Sequence, residues 1–230
     1  MKNNFSYKEV YFEEGKRVLE INILPEKYCN FDCVFCPIGR SKNKVDMPTE
    51  FEDYDSSISE LNDMIEKTNP DLIFINSKGE ALVNNKCEQI IDFIKSKGLK
   101  VRLLSNGYIL SKDEYINIAN KCDEVIGEIK TITEGDFKKI QRPIDGYTLE
   151  KYVENMVEFN KQYRGKFIFE ITIIKKYNDD LESIEKLKEI IKRINPDEID
   201  IVRIDDERMK KTMWVDNERF EEIKRELLSR

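Results

Sequence analysis

Three of the chain's five cysteines fall within eight residues, in the segment Tyr28-Cys29-Asn30-Phe31-Asp32-Cys33-Val34-Phe35-Cys36-Pro37. Thiolates are soft metal ligands, and three of them leave one coordination position open. Zinc would want a fourth ligand. The chain has no histidine, so that ligand would have to be the distant Cys87 or Cys122, or a carboxylate. An iron–sulfur cluster with one exposed iron can instead accept a ligand from a small molecule. The alternative is a structural zinc knot or a chance grouping, and the spacing does not match the usual zinc pattern. The lack of histidine also excludes Ser-His-Asp triads, Cys-His nucleophile pairs and a histidine general base. Chemistry must come from cysteine, carboxylates, lysine, arginine, tyrosine or a cofactor.

The elements that must position these cysteines follow from hydrophobic periodicity. Strands are predicted at Val18–Leu24, Leu72–Ile75, Val101–Leu104, near Glu124–Thr131, at Lys166–Lys175 and at Ile199–Ile204. Between them lie amphipathic helices. One spans Ser57–Lys67, with Ser57 and Glu60 as a capping box. A second carries Cys87, Ile90, Ile91 and Ile94 and stops before Gly98. Others start at Ser111, run from Thr148 to Tyr163, and follow Leu181, Ile184, Leu187, Ile190, Ile191 and Ile194. The last carries Phe220, Ile223 and Leu227. Six strand-then-helix units with no hairpin pattern imply an α/β fold with a parallel sheet, as a single domain over 1–230. Polar residues two apart on four strands (Glu20 and Asn22, Glu128 and Lys130, Glu170 and Thr172, Arg203 and Asp205) share a face. That pattern suits the wet lumen of a partial (βα)6 TIM-like barrel better than an open sheet covered by helices on both faces. The cysteines then follow the first strand, at the mouth where barrels bind ligands. Cys87 lies on its helix's apolar stripe and reads as core. Cys122 and Trp214 receive no role.

The 230 residues are 40% hydrophobic, with 46 acidic and 39 basic side chains for a net charge of −7. No apolar run is long enough for a membrane span, and Met1–Val10 shows no export pattern, so a cytoplasmic protein with reduced cysteines is expected. The acidic balance disfavours broad nucleic-acid binding.

The Cys-x3-Cys-x2-Cys spacing, with Phe35 before the last cysteine, resembles the signature of the radical S-adenosylmethionine (SAM) superfamily. The resemblance implies a 4Fe-4S cluster on Cys29, Cys33 and Cys36. The free iron would chelate SAM, and reductive cleavage would give a 5′-deoxyadenosyl radical that takes hydrogen from a substrate. It further implies Phe35 near the adenine. Ser77-Lys78-Gly79-Glu80 resembles the superfamily's glycine-glycine-glutamate motif, with Lys78 replacing the first glycine; Gly79 would allow close backbone approach and Glu80 would accept from the SAM ammonium. Ser105-Asn106-Gly107 resembles Thr-Asn-Gly. Each of these two stretches alone reads as a strand-ending turn. Glu128-Ile129-Lys130 resembles the Asp-x-Lys of the glycyl-radical activating branch, which gives Lys130 a carboxylate partner; an internal Glu–Lys pair is the competing reading.

A narrower resemblance, to bacterial and archaeal proteins related to the wyosine-forming radical enzymes of tRNA, rests on 21–27, 138–143 and 170–175. It implies Arg142 as a partner of the SAM carboxylate, and Glu170 with Thr172 on the substrate side. The enzymes that make wyosine carry further cysteines upstream, and residues 1–28 have none. The expected substrate is therefore an unidentified small molecule, peptide or protein, with a flavodoxin- or ferredoxin-type reducing partner. A glycyl-radical-type activating enzyme and an RNA-modifying enzyme, with tRNA disfavoured, are the alternatives. A non-enzymatic electron carrier or zinc module is the reading from another class.

Overall fold

The computed structural model describes residues 5–204 and 206–229. Two short strands, β1 (Ser6–Tyr7) and β2 (Tyr11–Glu13), pair antiparallel with the two ends of β3 (Lys16–Asn22). After β3 the chain makes the cysteine loop, where β4 (Tyr28–Cys29) and β5 (Asn43–Lys44) form a small separate pair. Helix α1 (Tyr54–Thr68) leads to β6 (Leu72–Ile75), α2 (Cys87–Ser96) to β7 (Lys100–Ser105), and α3 (Asp113–Ala119) to β8 (Glu124–Ile129). A short α4 (Glu134–Asp136) runs into a π-turn, Phe137–Gln141, followed by α5 (Leu149–Gln162) and β9 (Lys166–Ile173). The chain ends with α6 (Leu181–Ile194), β10 (Glu198–Arg203), α7 (Glu207–Met213) and α8 (Asn217–Leu228).

The main sheet runs β1-β3-β6-β7-β8-β9-β10, and the strands from β3 to β10 are parallel. This is the expected α/β partial barrel. The β3 edge is covered by β1 and β2, while β10 pairs only with β9 among the described residues. Alternation along the strands sorts the side chains. Leu19, Ile21, Ile73, Val101, Leu103, Val125, Phe167, Phe169 and Ile171 are buried in one continuous core with Leu61, Ile90, Ile94, Tyr152, Phe159, Ile184 and Leu187 from the helices. The opposite phase (Glu20, Asn22, Arg102, Glu128, Glu170, Thr172 and Asp200) lines the interior. No helix of the described residues is long and apolar enough to cross a membrane.

The structure departs from the sequence reading in four places. A hairpin joins β2 to β3 through Glu14 and Gly15, both at positive φ (50° and 78°), a backbone that suits a tight turn and needs no Asn-Gly pair. Helix α1 begins at Tyr54, not Ser57; Tyr54 packs on the core and extends the helix, so Ser57 is buried inside it rather than capping it. Helix α7 occupies a stretch for which the sequence predicts no element. On β10 the inward pair is Asp200 and Val202. Arg203, expected inward, lines the cavity as well, with its guanidinium 4.1 Å from the Trp214 ring centroid and 4.4 Å from that of Phe220, and Asp205 lies outside the described residues.

Candidate active site

The cysteine loop is held at the C-terminal ends of the strands by backbone contacts. Gly79 lies against Tyr28 so closely that a Cβ would fall 1.9 Å from the Tyr28 carbonyl oxygen, and its φ of +132° is one that only glycine adopts readily. Glu80 N donates to Tyr28 O at 2.8 Å, and Lys78 N donates to Asn22 Oδ1 at 2.8 Å, so the loops after β3 and β6 are one unit. From the other side, Asp32 N donates to Gln141 O (3.1 Å) and Val34 N to Ile140 O (2.9 Å). Phe31, between the first two cysteines, is edge-on to Tyr108, Phe137, Tyr147 and Tyr152. Inside the loop the buried Asp32 carboxylate accepts from Arg40 Nε and Ser41 N, both at 2.7 Å, and lies 3.7 Å from Lys27 Nζ, which donates to Gly39 O. Lys27, Asp32 and Arg40 thus fold the segment after Cys36 back onto the segment before Cys29.

Cys29, Cys33 and Cys36 all line one cavity of about 780 Å³, within the range of small-molecule sites, roughly 300–1,000 Å³. Cys29 is buried and receives Phe31 N at 3.4 Å and Asn106 Nδ2 at 3.6 Å; Cys33 and Cys36 are half-buried. Burial pushes the Cys29 thiol up to about 12 and raises the Cys33 thiol as well. Phe35, Gly79, Asn106, Lys130, Glu170 and Thr172 line the same cavity. Lys130 Nζ meets Glu128 at 2.5 Å; burial would lower its pKa, but Glu128 and Glu170 outweigh it and hold it above the lysine range. Burial, then the Glu128 charge, raises Glu170 to about 8. Glu128, Glu170 and Asp200 are register partners across β8, β9 and β10, which puts three carboxyls at one level of the wall.

Three of the expected residues stand behind the cavity rather than on it. Glu80 is fully buried; its carboxylate accepts from Ser105 Oγ and Asn106 N, both at 2.9 Å, and from Leu82 N at 3.3 Å. Burial raises it to about 7 against these donors. Glu80 and Ser105 therefore brace the Asn106 turn. Arg142 closes the π-turn at φ 47°, and its carbonyl accepts from Asp32 N at 3.2 Å. Sequence reasoning missed Asn30, Asp32, Tyr152 and Arg208. The Asn30 amide oxygen accepts from Asn106 Nδ2, the Tyr152 hydroxyl lies against the carbonyl oxygens of Asn106 and Glu128, and Arg208 Nη2 donates to Cys36 O at 2.7 Å. Asn30 and Asp32 sit within the cysteine motif and were open to notice. Arg208 is 172 residues from its partner, and no local pattern announces it.

The donor set fits an iron–sulfur cluster. It offers three thiols on one cavity wall, N–H groups aimed at the innermost sulfur, and no histidine. A thiol that burial keeps protonated gives up its proton to a bound metal. No group of three or more His, Cys, Asp and Glu side chains is gathered for a single metal ion among the described residues; three cysteines that share a four-iron cluster each hold a different iron.

The profile of the Radical SAM superfamily matches residues 23–190. The chain is 27% identical over 181 residues to the UPF0026 protein MJ1312 of Methanocaldococcus jannaschii, covering 77% of this chain and 56% of that protein, so it spans little more than half of that relative. A solved structure of TYW1 with a lysine-pyruvate adduct bound shares the fold, with a TM-score of 0.69 at 15% identity over 91% of this chain and 72% of the other. Streptococcus suis SuiB bound to its precursor peptide SuiA does so with a TM-score of 0.58 at 15% identity, over 78% and 38%.

Proposed function

Since the chain belongs to the radical SAM superfamily, we propose that Cys29, Cys33 and Cys36 hold its 4Fe-4S cluster, that SAM binds in the adjoining cavity, and that the substrate occupies the part walled by Glu170 and Thr172. The observation that carries this reading is that the three thiols and the inward residues of β3, β8 and β9 face one cavity. When bound, the cofactors supply one-electron cleavage of SAM to methionine and a 5′-deoxyadenosyl radical that abstracts hydrogen from the substrate. The chain's own residues bind and orient. Phe35 offers a flat face to the adenine, Gly79 lets a ligand approach the backbone, and Lys130 presents a cation to a carboxylate. Asn106 holds Cys29, braced by Glu80 and Ser105, and Arg142 supports the loop through its carbonyl.

The chain's net charge of −7 supports a small-molecule, peptide or protein substrate over RNA, because an acidic protein repels phosphates. The free cysteines suit a reducing compartment such as the cytoplasm. The test is 5′-deoxyadenosine formation from SAM by the reconstituted, reduced protein. Cys33→Ala is expected to abolish iron loading and product while keeping the far-ultraviolet helix signal. Product formed by that variant sinks the assignment.

A further inference from the structure

Behind Cys33 and Cys36 lies a second, small core. Phe35, Ile140, Ile174, Ile204 and Met213 are packed together, with Val34, Tyr177 and Met209 partly buried against them. Three segments frame it: the π-turn at 137–141, the stretch 174–178 after β9, and α7. Backbone and side-chain bonds join them to the cysteine loop: Val34 N to Ile140 O at 2.9 Å, Lys175 N to Met213 O at 3.0 Å, and Arg208 Nη2 to Cys36 O at 2.7 Å. Lys139 Nζ lies 5.8 Å from the Tyr177 ring centroid.

These segments carry Lys138, Lys139, Lys175, Lys176, Arg208, Lys210 and Lys211 against one acid, Glu207, in a chain whose net charge is −7. Lys138 pairs with Glu134, Arg208 with Asp206, and Lys210 with Glu207. Four further carboxylates border these segments: Asp136 accepts from Thr133 Oγ1, Asp179 accepts from the Lys176 N–H, Asp180 and Asp216 cap α6 and α8, and Asp216 feels the Lys175 charge. Lys139, Lys175, Lys176 and Lys211 are exposed and form no ion pair among the described residues. None of the four lines the cavity.

Resting on the cluster assignment above, we propose that this lysine rim is the docking surface for the reducing partner, an acidic one-electron carrier protein. A substrate's recognition groups belong on the cavity. A partner that needs closeness to the cysteines and no access to the cavity belongs outside the cavity, and the rim's segments meet the cysteine loop there through the small core on which Cys33 packs and through the Arg208 bond to Cys36 O. A cationic patch on an otherwise acidic protein attracts an acidic carrier to that patch and repels it elsewhere, which orients the encounter. The carrier gives up one electron and is oxidised by one; the bound cluster accepts it.

The test compares two reductants of the reconstituted protein by the rate of cluster bleaching: flavodoxin hydroquinone, and photoreduced 5-deazariboflavin as a small uncharged control. Reversing the rim (K139E/K175E/K176E/K211E) is expected to slow flavodoxin about tenfold or more at low ionic strength and to flatten its salt dependence. The deazaflavin rate and iron content stay unchanged. A glutamine quadruple variant falls between the two, and reversal at Lys97, Lys100 and Lys161 leaves both rates alone. An unchanged flavodoxin rate in the rim variant overturns the proposal. So does loss of binding to a tRNA-sized RNA with flavodoxin unaffected, which would assign the rim to nucleic acid. If the unaltered protein accepts no electron from deazaflavin, the cluster assignment fails and takes the docking surface with it.

Discussion

At the N-terminal ends of the strands, Arg102 is held by Glu124 at 2.5 Å and Glu13 at 2.6 Å, with Lys16 3.6 Å from Glu124. At the C-terminal ends Lys130 meets Glu128 at 2.5 Å, while Glu170 and Asp200 stand in register beside them with no ion pair among the described residues. The lower group has two cations and two anions and closes on itself. The upper group has three carboxyls to one cation, and Glu170 relieves the excess by keeping its proton to about pH 8. Burial forces pairing, and where pairing is complete the charges serve the fold. Where it is incomplete, on the wall of the cavity that holds the cysteines, the proteins' own charges leave the balance to what binds there.

The comparison breaks most readily at Arg102. Removing it by Arg102→Met leaves the buried Glu124 with only the longer 3.6 Å contact to Lys16 and is expected to cost about 3 kcal/mol, read as a fall in the urea midpoint at neutral pH. Iron loading stays normal, because the floor does not touch the cysteine loop. Replacing both partners, R102M/E124M, should recover most of the loss. A single variant that costs under about 1 kcal/mol would mean that the floor is held by packing instead.

Gly79 is a lever of similar size, and it acts on the upper end alone. A methyl group there meets the Tyr28 carbonyl oxygen at 1.9 Å in a backbone conformation unfavourable to alanine. Gly79→Ala is expected to cost about 3 kcal/mol. Unlike Arg102→Met it should also lower iron bound per chain, because the backbone that must move carries Cys29. Full loading in a destabilised Gly79→Ala protein would show that the loop keeps its shape without that contact.

What the sequence made legible follows from how local each determinant is. The strands β6 and β7 and the helix α6 are written in short-range periodicity, and so is the inward phase of β3, β8 and β9. The hairpin at Glu14-Gly15 was missed because it lacks the usual Asn-Gly or Asp-Gly, and α7 because seven residues with four charged side chains show no apolar stripe. Within the site, the three cysteines were found through their spacing. The inward turning of Glu80 onto Ser105 and Asn106 was not, because it depends on two loops 25 residues apart meeting. The lysine rim likewise exists only once three separate segments are folded around Phe35.

Glu170 carries the pH dependence of the upper group. Its folded pKa of about 8 lies above the ordinary carboxyl value, so the folded protein keeps a proton that the unfolded chain releases. Its contribution to stability is complete below about pH 4.3 and is lost as the pH rises towards the folded value. Glu170→Gln removes that dependence. Urea midpoints at pH 5.5 and pH 8 should show the unaltered protein losing on the order of 2 kcal/mol more than the variant over that interval. Parallel curves would place the proton elsewhere.

Asp200 gives the smallest effect and the finest distinction. It is exposed on β10, and its negative charge is the weakest of the influences that raise Glu170, behind burial and Glu128. Asp200→Asn should change stability by less than about 0.5 kcal/mol. It should also lower the Glu170 pKa by a few tenths, followed by carbon-13 NMR titration of the carboxyl. A fall of a full unit or more would mean that charge across the sheet, rather than burial, keeps Glu170 protonated, and the upper group would then be an electrostatic row. No fall would leave Glu128 and Glu170 as the coupled pair and Asp200 as a solvated edge residue, which confines the unpaired charge to the enclosed part of the wall.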